Sequence, residues 1–170
     1  MSKAARFIRL CAIGATLCFA ALAVLSKVWI EPAGLAIFDS RFGGYSPSDV
    51  QEFLAAVTPA QIHNYLGPFR WLDTVFPLLL TVTLMGVIWL NARNVHVILR
   101  AFAVLGPLAY LNMDLSENTL VAQMLQNAPQ VSDSMALRAS GYTQAKWICL
   151  AVSGVLVLWA WRFTPKGDAA

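Results

Sequence analysis

Charge is scarce in this chain: 12% of its 170 residues are Asp, Glu, Lys or Arg, while 58% are hydrophobic. Ordinary soluble domains carry about 25% charged residues, so the composition excludes a water-soluble fold. The net charge is +3 and the basic residues are scattered, which leaves no Lys/Arg cluster for nucleic acid. Cysteine is also sparse. Cys11, Cys18 and Cys149 all sit inside apolar runs and form no C-x-x-C pair, which argues against dithiol redox chemistry. Cys11 and Cys18 share a helix face, but no histidine cluster joins them, so no metal site is expected. H-E-x-x-H, G-x-S-x-G and P-loop patterns are lacking, and no motif implies a cofactor. Internal repeats and low-complexity linkers are missing too, which leaves one unit spanning 1–170.

What is present is oil in lengths that fit a bilayer. A hydrocarbon core about 30 Å thick takes about 20 helical residues. Four runs qualify: 7–30, 72–91, 96–126 and 142–163. The first has a rival reading as a cleaved signal peptide, because Lys3, Arg6 and Arg9 precede the apolar stretch and Ala21 and Ala23 follow within it. The stretch continues through Val-Leu-Ser-Lys-Val-Trp-Ile, so a retained span is expected.

Basic residues set the direction. With both termini inside, the cytoplasmic segments hold Lys3, Arg6, Arg9, Arg93, Arg100, Arg162 and Lys166 against Asp168 alone. The other side holds Lys27, Arg41, Arg70, Arg138 and Lys146 with eight acids. Trp29, Trp71 and Trp147 fall at outer span ends, and Trp89, Trp159 and Trp161 at inner ends, as the amphipathic indole prefers. This places a multi-pass protein in the cell (inner) membrane. It also puts His63 outside and His96 inside, so the two cannot clamp one haem.

The outward loop from Glu31 to Trp71 carries two helix signals. Ser46-Pro47-Ser48-Asp49 supplies a cap and a first-turn proline, and Val50, Phe53, Leu54 and Val57 then recur on one face over 47–57. Thr58-Pro59 starts a second helix over 59–66, with Ile62, Tyr65 and Leu66 on one face and Gly67-Pro68 as the expected stop. Their apolar undersides suit the outer mouth of the bundle or the headgroup layer. They act there as simple packing or as a lid.

Several polar groups share one depth. At 1.5 Å per helical residue, Asp73 lies 18 residues from Asn91, about 27 Å up the second span. Asp114 lies 18 residues from His96, about 27 Å up the third, and Lys146 lies 16 residues from Arg162, about 24 Å up the fourth. Glu117 and Asn118 share a helix face with Asp114. Charged groups in a membrane are costly, so they persist when they pair or face a wet cavity. Lys146 is the obvious partner for the acids, with Arg70 and Arg138 as alternatives. Three readings follow. The cluster locks helix register; or Asp73, Asp114, Glu117, Asn118 and Lys146 bind a ligand, ion or lipid headgroup; or the third helix emerges into water near Asp114. In the last case Leu120, Val121, Met124 and Leu125 form a stripe on its protruding end. Gly106-Pro107 is expected to kink that span. Ser116 and Ser134 have only His63 near their level, which makes a Ser–His–Asp arrangement a weak bet.

Leu72-Asp73 with Phe76-Pro77, then Asp114-x-x-Glu117-Asn118, then Lys146-Trp147, resembles an uncharacterised family of small bacterial four-span integral membrane proteins. The outer-loop stretch Asp39-Ser40-Arg41-Phe42-Gly43-Gly44-Tyr45-Ser46 is similar as well. The resemblance implies the four-span fold and supplies no activity.

The expectation is therefore an all-α bundle of four transmembrane helices with two short amphipathic helices in the extracytoplasmic loop. It is expected to act as a non-enzymatic accessory or binding factor in the lipid bilayer, with a membrane-protein partner or a second copy of itself. The alternatives are a membrane enzyme doing acid–base chemistry on a lipid-like substrate, with Asp114 or Glu117 moving the proton and Lys146 stabilising charge, and an oligomeric ion- or proton-coupled carrier.

Overall fold

A segment surrounded by lipid must satisfy every backbone N–H and C=O from within, and a helix does this. In a computed structural model, which describes residues 2–128 and 130–164, every apolar run is accordingly helical. Lys166 and Asp168, part of the expected cytoplasmic charge balance, lie outside the described residues. Four helical stretches are long and apolar enough to cross a membrane: Lys3–Ile30, Pro59–Asn91, Val97–Gln126 and Asp133–Trp161. Among the described residues there is no strand. The fold is the expected all-α one.

The elements are α1 (Lys3–Leu25), α2 (Pro47–Ala56), α3 (Pro59–Asn64), α4 (Arg70–Asn91), α5 (Val97–Ala103), α6 (Leu105–Gln126) and α7 (Asp133–Trp161). α1 packs chiefly on α4, α4 also meets α6 and α7, and α6 lies along α7. Gly86 permits the first contact, because a Cβ there would run into the Ile8 side chain of α1; small residues let membrane helices approach closely. Elsewhere the spans turn outward. Phe7, Leu10, Leu17, Phe102, Ile148 and Val155 are all exposed, a surface that only an apolar solvent would cover cheaply.

The larger apolar core lies at the loop end of the bundle. Phe38, Tyr45, Val50, Phe53, Tyr65 and Phe69 from the loop and its helices pack on Leu120, Val121, Met124 and Leu125 of α6 and on Ala136 and Ala139 of α7. The end of α6 therefore does not protrude into water. Its apolar stripe is roofed by the 31–69 segment.

Two boundaries differ from expectation, each for a physical reason, while the break expected near Pro107 is present. α7 begins at Asp133, capped by Ser132, whose Oγ accepts from the Met135 N–H. Its first turns are polar outside but bury Ala136, Ala139 and Ser140 under the roof, so tertiary cover supplies what hydropathy does not show. Gly67-Pro68 bends the chain rather than stopping it: Gly67 leaves helical geometry at φ −97°, ψ −111°, yet a π-helical turn over Tyr65–Phe69 joins α3 to α4. Tyr65 and Phe69 stack across that bend with centroids 5.4 Å apart. The third span breaks between α5 and α6 at Val104, three residues before Pro107, which has no N–H to give Ala103. There Thr81 of α4 donates to the Pro107 carbonyl at 3.4 Å.

Both loop helices start with reciprocal caps. Ser46 Oγ accepts from the Asp49 N–H while Asp49 Oδ2 accepts from the Ser46 N–H at 2.7 Å, and Thr58 pairs with Gln61 in the same way. The Ser46 hydrogen bonds hold the Asp49 carboxyl below its usual range. Ser46→Ala is expected to destabilise the roof by about 1 kcal/mol, read as a lowered melting temperature in detergent. Because the Asp49 value is depressed in the folded state, the cap's contribution is present above the ordinary carboxylate range and is lost as pH falls through the folded value.

Candidate functional site

One ammonium organises the loop end of the bundle. Lys146 of α7 is 4% exposed, and a buried charge persists only where partners answer it. Its Nζ lies 2.6 Å from Glu117 Oε2 and 3.4 Å from Asp114 Oδ1, both on α6, and it donates to Asp39 Oδ1 from the loop. The acids are themselves positioned. Asp114 Oδ2 accepts from Asn118 Nδ2 at 3.1 Å, one helical turn on. Glu117 Oε1 accepts from Thr143 Oγ1 at 2.6 Å, and Thr143 sits one turn before Lys146 on α7. Glu117 is 0% and Asp114 4% exposed, so the reading in which these acids are solvated fails.

Asp39 arrives because the loop is clamped to one face of α7. Besides its carboxylate on Lys146, the Asp39 carbonyl accepts from Trp147 Nε1 at 3.2 Å, and the Gly43 carbonyl accepts from Gln144 Nε2 at 2.9 Å. The Tyr45 N–H donates to Ser140 Oγ at 2.8 Å. Phe42 lies against the Trp147 ring, centroids 4.3 Å apart. Gly44 makes the close approach possible: its φ is +82°, and a Cβ there would strike the Gln144 and Ser140 side chains. Tyr45 is buried beside this seam, and burial raises its phenol above the usual range.

The structure therefore brings Asp114, Glu117, Asn118 and Lys146 together and adds Asp39, Thr143 and the Tyr45 loop. Asp73 of α4 is separate. Among the described residues it forms no ion pair with Lys146, and its Oδ2 is buried with no hydrogen-bond partner. With Asp39, Asp114 and Lys146 it lines a cavity of about 470 Å³. Asp39, Asp73, Asp114 and Lys146 are among the polar residues of its wall, with Lys27, Glu31, Ser26 and Ser40. Phe19 and Leu22 of α1, Phe76 of α4, and Trp147 and Leu150 of α7 form an apolar part. Glu117 and Asn118 do not line it. They support the wall from behind.

The other sequence candidates lie elsewhere. Among the described residues no ion pair links Arg70 or Arg138 to these acids. Ser116 lines a different groove, with Asn112, Thr119 and Arg138. His96 caps α5 through Nδ1, and His63 lies in the last turn of α3. No group of three or more His, Cys, Asp or Glu among the described residues is arranged to hold a metal.

Asp39 is the member that periodicity could not reveal, since a loop's return path leaves no repeat. Its one signal is an acid ahead of Gly43-Gly44, in a stretch that also carries Phe42 and Tyr45.

Known protein families, curated proteins and solved structures contain no match to the chain.

Two outcomes follow from this geometry. Lys146→Met strands Glu117 and Asp114 without a cation and is expected to cost about 3–5 kcal/mol, measured as loss of folded protein in detergent. Gly44→Ala is expected to loosen the loop by about 1–2 kcal/mol from its left-handed backbone alone. The Gln144 and Ser140 clash adds to that, and limited proteolysis between Glu31 and Ser46 reads the release.

Proposed function

We propose that this chain is a multi-pass protein of the bacterial inner membrane, with both termini cytoplasmic, and that its cavity binds a small amphipathic ligand. It acts as a non-enzymatic accessory or binding factor, akin to the uncharacterised four-span proteins that its motifs resemble. The carrying observation is the cavity itself. A pure register lock needs a closed, fully paired cluster; here Asp73, Asp114 and Lys146 border about 470 Å³ of space whose remaining wall is largely apolar. Binding sites for small molecules combine apolar walls with a few convergent polar groups in this way.

The placement within the bundle supports entry from the bilayer. α1 packs on α4 and not along α7, while both α1 and α7 line the cavity. A ligand with an alkyl portion can lie between these two helices with its head at the Asp73–Lys146 level. A partner subunit or second copy, if present, meets the exposed helix faces rather than this seam.

A second reading keeps the same pocket and adds acid–base chemistry on a lipid-like substrate. The buried, uncommitted Oδ2 of Asp73 favours it, because a proton acceptor must be within hydrogen-bond reach of a bound group. In this arrangement Asp73 is better placed than Glu117, whose two oxygens are occupied by Thr143 and Lys146.

The test is photolabelling in lipid nanodiscs with a neutral diazirine-bearing long-chain alcohol. Label is expected to concentrate on residues 19–26 and 147–150 and to fall at least fivefold there in Ala23→Trp, which fills the cavity from its α1 side. Even labelling of all exposed helix faces, unaltered by the substitution, is the result that excludes the binding reading.

A further inference from the structure

The cavity has a chemical preference written in its unpaired atoms. Four carboxyl groups gather near one ammonium: Asp39, Asp114 and Glu117 touch Lys146, and Asp73 lines the same cavity. The remaining charges at the wall, Lys27 and Glu31, pair with each other at 3.7 Å. Arg41 is spent elsewhere, its guanidinium donating to the Ala36 carbonyl at 2.9 Å and lying over Phe38. The inner wall is thus formally rich in carboxylate and short of cation.

Two buried oxygens of that wall have no protein partner: Asp73 Oδ2 and Asp39 Oδ2. Asp73 is 7% exposed. A buried acceptor without a donor is costly, and more so when charged, so both atoms ask for N–H or O–H groups brought by a ligand. Aromatic rings complete the surroundings. Phe42, Phe69, Phe76, Tyr110 and Trp147 all line the cavity, and ring faces attract a cation held near them.

We infer that the ligand is a cationic amphiphile with a protonated amine head. The head donates to Asp73 and Asp39, and the alkyl portion leaves between α1 and α7. The requirement is for hydrogen-bond donors as well as positive charge. A quaternary ammonium answers the charge and leaves both oxygens unpaired; an alkyl carboxylate meets like charge. This inference rests on the cavity being a ligand site and narrows what that site accepts.

The experiment uses the full chain in nanodiscs of zwitterionic lipid at neutral pH, with the same neutral diazirine alcohol as reporter. Dodecylammonium, dodecyltrimethylammonium and dodecanoate compete in parallel. Label on exposed faces away from the cavity, read from the same digests, corrects for partition into the bilayer. Dodecylammonium is expected to suppress cavity label at a concentration at least tenfold below either competitor. In Asp73→Asn that preference is expected to fall to threefold or less, each competitor being read against that variant's own uncompeted cavity label. Equal competition by the trimethylammonium or the carboxylate overturns the amine assignment and leaves the cavity as a binding site. So does an undiminished preference in a folded Asp73→Asn protein. Cavity label absent in the unsubstituted chain overturns both. Should Asp73→Asn fail to fold, the three competitors on the unsubstituted protein still decide the matter.

Discussion

The Lys146 ammonium is the point on which the loop end of this protein depends. Three chain segments distant in sequence (the loop at Asp39, the face of α6 at Asp114 and Glu117, and the face of α7) converge on one nitrogen. Apolar packing has no preferred register, because one leucine face slides over another at little cost. A buried charge does have one, since any displacement strands it. Thr143 and Asn118 extend the constraint by fixing the carboxylates that fix the lysine. The roof is thereby held to α7 at one height, and Val50, Phe53 and Phe38 fall onto Leu120, Val121 and Met124 as a consequence.

The same constraint explains why a cavity survives beside so dense a cluster. The lysine holds Asp39, Asp114 and Glu117 to α7, while Asp73 on α4 lines the cavity without joining that pairing. α1, held mainly by α4, contributes Phe19 and Leu22 as the remaining side. A binding role needs this division of labour. Glu117 and Asn118 hold shape, and Asp73, Asp39 and Asp114 present chemistry.

Much of this could be read from the residues, and the parts that could not share a cause. Helical rise is fixed, so the common depth of Asp73, Asp114 and Lys146 was legible from counting alone. The caps at Ser46 and Thr58 and the break near Pro107 were legible because each is a local chemical event. Asp39 was not. Its role depends on the loop turning back at Gly44 and lying along Ser140, Gln144 and Trp147, and nothing periodic records such a path. The early start of α7 was hidden for a related reason: residues 133–141 look like a polar linker until the roof that buries Ala136 and Ala139 is in place. Asp73 shows the limit of depth as an argument, because a shared level brought it to the cavity but not to the lysine.

The order of the chain gives the lysine a temporal consequence. A ribosome delivers Asp39, Asp73, Asp114 and Glu117 before Lys146, which lies on α7. Until α7 enters the bundle, every acid of the cluster lacks this ammonium, and the roof has only the face of α6 to pack on. The polar wall of the pocket is therefore completed only when α7 joins, and a nascent chain paused after α6 carries these acids without their ammonium.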